Sequence, residues 1–124
     1  MALTAVISNT NAAALGASDV LVYRRASGGQ FVLTGLADPS IAGDLLLDDE
    51  PLVCRALGGH VIRLAADEPQ RICAGYVARS AAIVAVDCDV IVVLGRRDGC
   101  LAGVGDDVLV RAAMSAAASF DGRR

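Results

Sequence analysis

The stretch RSAAIVAVDCDVIVVL, residues 79–94, limits the possible folds of this chain most sharply, because two continuous apolar runs meet there at an acidic break. Each run is short and rich in β-branched residues, and neither alternates polar with apolar. Each therefore predicts a strand covered on both faces. Asp87-Cys88-Asp89 between them predicts the turn of a buried hairpin. Such a hairpin belongs near the middle of a sheet, with helices or long connections packed over it.

The other segments are read around that hairpin. Residues 2–15 carry apolar positions at roughly helical spacing and end at Gly16, which predicts a first helix. VLVY (20–23) and FVLTG (31–35) flank a Gly-Gly loop and predict a second hairpin. Residues 36–47 predict an irregular connection, and DEPLVCRAL (49–57) a short helix that stops at Gly58-Gly59. HVIRLA (60–65) alternates like a strand with one exposed face. ADEPQRICAGYVA (66–78), with Pro69 and Gly75, predicts a loop or a brief helix.

After the glycine-rich 95–105, Asp106 or Asp107 is placed to cap a helix running to Phe120. Leu109, Ala113, Ala116 and Phe120 form one stripe, widened by Val108 and Ala112 on one side and by Val110 and Ala117 on the other. So wide a stripe predicts that a second helix, from this chain or a partner, covers part of it.

At 124 residues the chain fits one domain, 1–124, able to bury roughly two thirds of the surface its unfolded form exposes. Aromatic residues are only 3% of it, so the core must be aliphatic. A net charge of −3, with arginines scattered along the chain and lysine absent, argues against a nucleic-acid surface. No apolar run reaches the ~18–20 residues that cross a bilayer, and no basic residue precedes Arg24. No membrane insertion and a cytoplasmic location are expected. The cysteines at 54, 73, 88 and 100 match neither a CxxC motif nor a compact disulfide framework, so reduced thiols are expected.

Several segments together resemble a GAF domain, a small-molecule sensor module of signalling proteins. ALGGHVIRL (56–64) is similar to that family's helix-end glycine followed by a strand, and RSAAIVAV (79–86) to its buried strand opening with Arg-Ser. VIVVLGRR (90–97) and GDDVLVRAAMSAAASF (105–120) resemble the following strand and the terminal helix, and ALGASDVLVYRR (14–25) the early part of the fold. Roadblock and PAS domains are the neighbouring alternatives.

The resemblance implies a single α+β domain with a central, mainly antiparallel sheet flanked by N- and C-terminal helices. It implies a sensory or regulatory module of a bacterial signalling protein, forming a homodimer through its terminal helices and acting on an output domain or a separate partner. It places a small ligand between the sheet and the connections 36–59 and 65–79, which makes Arg63, Tyr76, Arg79 and Ser80 the polar groups to examine. The alternatives are a ligand-free scaffold for protein association and a cysteine-based redox or metal sensor.

For chemistry the residues offer little. Cys54, His60 and Cys73 are metal-ligand types at undiagnostic spacings, and buried cysteine usually behaves as a small hydrophobe, so no metal is expected. His60 as an axial haem ligand, known among GAF sensors, is the lesser reading beside an ordinary histidine, and no cofactor is expected. Acidic neighbours blunt Cys88, whereas Cys100, following Arg96 and Arg97, is the redox candidate. Free methionine sulfoxide reductases share the GAF-like fold, but these four cysteines do not align with their catalytic pattern, and no enzymatic activity is expected. Asp87-x-Asp89 and Asp106-Asp107 are read as turn and cap residues.

Overall fold

The computed structural model describes residues 16–35, 45–46, 50–73, 75–101 and 103–119. Six strands form one antiparallel sheet: β1 (Asp19–Arg25), β2 (Phe31–Gly35), β3 (Leu45–Leu46), β4 (Ile62–Cys73), β5 (Tyr76–Asp87) and β6 (Val90–Arg96). Their spatial order is β3-β2-β1-β6-β5-β4. Helix α1 (Pro51–Leu57) packs on one face and α2 (Asp106–Ser119) on the other. This is the α+β arrangement expected from the sequence. The helix expected over residues 2–15 lies outside the described residues, as do Phe120 and most of the connection 36–47.

The buried hairpin is β5–β6. Val90, Val92 and Leu94 point to the α2 side and Ile91 and Val93 to the α1 side, which is why the run is apolar at every position. The turn is tighter than the three acidic-flanked residues suggest: Asp87 pairs with Val90, and only Cys88 and Asp89 turn. The Asp87 carboxylate accepts the Asp89 N–H at 2.7 Å, satisfying a donor the turn would otherwise leave open. Arg25, at the end of β1, donates to the carbonyls of Gly29 and Cys88, so one side chain ties the tips of both hairpins together.

Residues 66–78 correct the loop-or-helix expectation. β4 runs through them to Cys73, Gly75 (φ 76°) takes the turn, and β5 begins at Tyr76. From the pair Ala65–Ser80 to the pair Gln70–Ala78 the chain advances five residues on β4 and two on β5. Residues 66–69 are thus extra length that bulges away from the ladder. Pro69 is tolerated there because β4 is an edge strand whose outer side needs no ladder donors.

α1 starts as the sequence predicts, with Pro51 in the first turn and Gly58-Gly59 after its end, where Gly59 adopts φ 98°. α2 differs in its cap. The Leu109 N–H bonds to the Gly105 carbonyl, so Gly105 stands at the cap and both aspartates lie in the first turn, where the helix dipole favours them. At the other end, Arg24 donates to the Ala117 carbonyl at 2.6 Å, supplying a cation where the dipole is negative. The wide stripe of α2 is covered by the chain's own sheet: Leu109, Ala112, Ala113, Ala116 and Ala117 pack on Val22, Ala82, Val84, Val92 and Leu94.

Candidate functional site

On the α2 face, between β4–β5 and the chain entering α2, lies a cavity of about 210 Å³. Its floor comes from paired strands: Arg63 lies opposite Ala82, and Ala65 opposite Ser80. Cys100, Leu101, Gly103 and Leu109 cover it in part from above, and the exposed Arg63, Cys100 and Gly103 leave it open to solvent at its rim. Most of this wall is apolar. Ser80 is 2% exposed, and its Oγ accepts the Leu101 N–H at 2.8 Å, which fixes the roof to the floor. Arg63 makes a second tie. Its Nε and Nη2 reach Asp106 Oδ1 at 3.1 and 2.8 Å, and Nη2 also donates to the Val104 carbonyl, so the start of α2 is strapped to the edge strand.

A second polar group is buried on the α1 face. Asp19, 6% exposed, accepts the Tyr76 hydroxyl at 2.7 Å and is approached by Arg97 Nε at 3.0 Å, both at Oδ2. A buried carboxylate is tolerable only with such partners. The Tyr76 ring crosses Gly95, where an added Cβ would stand 2.2 Å from the hydroxyl oxygen, so this position admits only glycine. Burial first, then the hydrogen bond to Asp19 and its charge, push the Tyr76 phenol above its ordinary range. The tyrosine therefore stays a neutral donor, and the trio ties β1 to β5 and to the residue that follows β6.

No family model matches the chain, and no curated protein matches it in sequence. Among solved structures, the crystal structure of the GAF domain from Acinetobacter phosphoenolpyruvate-protein phosphotransferase is similar at a TM-score of 0.63 and 12% identity, over 93% of this chain and 78% of that one. The fold is GAF-like.

In this GAF-like fold the four polar candidates divide between the two faces. Arg63 and Ser80 line the cavity together. Tyr76 is held on the opposite face by Asp19, and Arg79 reaches the Asp98 carbonyl at 3.4 Å. The cavity itself lies under α2, on the opposite side from α1 and Leu46, which the connection 36–59 contributes. Asp19 and Arg97 were not singled out by sequence reasoning. The available signal was an aspartate opening an apolar strand, paired in register with a glycine on its neighbour.

The thiols are scattered. Cys54, Cys88 and Cys100 are exposed and Cys73 is buried, with Cys100 on the cavity wall. Among the described residues no three of His, Cys, Asp and Glu stand together as a metal site. Burial, with a smaller contribution from Glu50, pushes the Cys73 thiol from 9.0 up to about 12. A folded pKa above the unfolded one means stability that is fully present below pH 9 and lost as pH rises towards 12. Alkaline unfolding followed by circular dichroism is expected to steepen across that window by about 1.4 kcal/mol per pH unit, and Cys73→Ala to remove that portion of the slope.

Proposed function

We propose that the chain is a sensory or regulatory domain of the GAF type, belonging to a bacterial signalling protein. It binds a small molecule in the cavity under α2 and passes the change to an output domain or a separate partner. The observation that carries this reading is the position of the cavity: its roof is the chain entering α2, and the strap from Arg63 to Asp106 links the cavity's edge to the first turn of that helix. Occupancy there bears directly on the C-terminal helix of the described fold. The reading is regulatory and assigns no catalytic step. A cytoplasmic location belongs to the same proposal; among the described residues no helix is long and apolar enough to cross a membrane.

The scaffold reading is favoured by a different observation. The α1 face, where the family resemblance would place a ligand, is filled by Leu21, Tyr23, Phe31, Ile83, Ile91 and Val93. Association through terminal helices, as a homodimer, is proposed under both readings, with the outward side of α2, including Met114 at 52% exposure, as its described contribution.

Native mass spectrometry of the purified protein, compared with its denatured mass, tests both points in one sample. The expected result is a dimer that carries or takes up a small adduct. A bare dimer that takes up none of a small-molecule panel would favour the scaffold, and a monomer at high concentration would refute the homodimer.

A further inference from the structure

The cavity has few polar atoms, and those few specify a chemistry. Ser80 spends its oxygen lone pair on Leu101 N–H, and its own hydroxyl proton has no acceptor among the described residues, although the side chain is almost fully buried. A buried donor without an acceptor calls for one from a ligand or water. On the same face, two positions along the neighbouring strand, stands Arg63, at the roughly 7–8 Å diagonal spacing of antiparallel neighbours. Its Nε and Nη2 are engaged by Asp106 and Val104, and its Nη1 bonds to none of the described residues. Both polar groups are donors and one is a cation, so the complementary head is an anion that only accepts. The rest of the wall, from Ala65, Ala82, Leu101 and Leu109, requires an aliphatic body.

Size narrows the choice. At about 30 Å³ for each water-sized unit, the cavity holds about six to eight heavy atoms of a ligand within its walls. A phosphate head would use most of that volume and bring a second negative charge that one arginine does not offset. A carboxylate has two acceptor oxygens, matches a guanidinium in charge and geometry, and leaves room for a short chain.

We propose that the cavity binds a short aliphatic monocarboxylate, with one oxygen accepting a hydrogen bond from the Ser80 hydroxyl and the head group competing with Asp106 for Arg63. This rests on the sensory reading above and gives it a mechanism: binding exchanges one carboxylate for another on Arg63, and the first turn of α2 loses its strap to β4.

The test is calorimetric titration of the folded protein with hexanoate and with hexanamide, which has nearly the same shape without the charge. Hexanoate is expected to bind about tenfold more tightly than hexanamide, because only the anion gains the guanidinium. Arg63→Gln should abolish that preference. Asp106→Asn should act in the opposite direction, tightening hexanoate about three- to tenfold by removing the internal competitor. If Arg63→Gln does not fold, Arg63→Lys keeps the charge without the fork and should retain a reduced preference. Equal binding of the two probes, or weaker hexanoate binding by Asp106→Asn, would overturn the carboxylate assignment and leave the sensory reading standing. No binding of either probe would also overturn the assignment. The sensory reading falls only if native mass spectrometry finds the protein bare against the wider panel as well.

Discussion

Gly95→Ala is expected to destabilise the protein by about 3–5 kcal/mol, measured as a lowered urea midpoint. The added methyl would stand 2.2 Å from the Tyr76 hydroxyl oxygen and 2.6 Å from its ring, and Tyr76 is fully buried. Overpacking of that kind costs about 1–3 kcal/mol, and displacing Tyr76 also removes a buried hydrogen bond to a carboxylate worth about 1.5–3 kcal/mol. Tyr76→Phe, which loses the hydroxyl alone, should cost only the second part. The two sites are in contact, so the effect of Gly95→Ala in a Tyr76→Ala background should be clearly smaller than in the wild type. A Gly95→Ala midpoint within about 0.5 kcal/mol of wild type would mean that Tyr76 does not lie across β6.

Ala113→Asp should be at least as damaging, about 3 kcal/mol or more, because it places a carboxylate at a site with no exposure and only apolar neighbours. Read from the sequence, a charge at Ala113 or Ala116 looks like a way to break an interface between copies of the chain. The structure turns that expectation into one about folding, since the sheet's Ala82, Val84, Val92 and Leu94 form the surface those alanines meet. Loss of the cooperative thermal transition is the expected result. Met114→Asp, on the outward side, should keep a cooperative thermal transition and act instead on the proposed association between copies, read as a shift towards monomer. A stably folded Ala113→Asp protein that has only lost its partner copy would place the helix against that partner instead.

What could be read from the sequence depended on whether burial left a one-dimensional pattern. The β5–β6 hairpin was legible because strands covered on both faces are apolar without interruption, and α1 because Pro51 and the Gly58-Gly59 pair mark its ends. The stretch 66–78 was not, because an exposed edge strand with a bulge has the composition of a loop, and Pro69 argues against a strand unless its edge position is known. Arg63 and Ser80 were both identified, yet the cavity's side of the sheet was hidden: Ala81 and Ala82 look alike in sequence and face opposite ways. The trio of Asp19, Tyr76 and Arg97 spans nearly the whole described chain, and nothing local records that three strands bring it together.

Whether the small-molecule site lies under α2 is decided most directly by two-dimensional amide NMR of the labelled protein titrated with hexanoate. Shifts gathered at Arg63, Ser80, Leu101 and Leu109, spreading along the first turns of α2, are the expected result. No shifts at all would remove the monocarboxylate and leave the site to be probed with another ligand, whereas shifts gathered instead at Val53, Ala56 and Ile83 on the α1 face would contradict it.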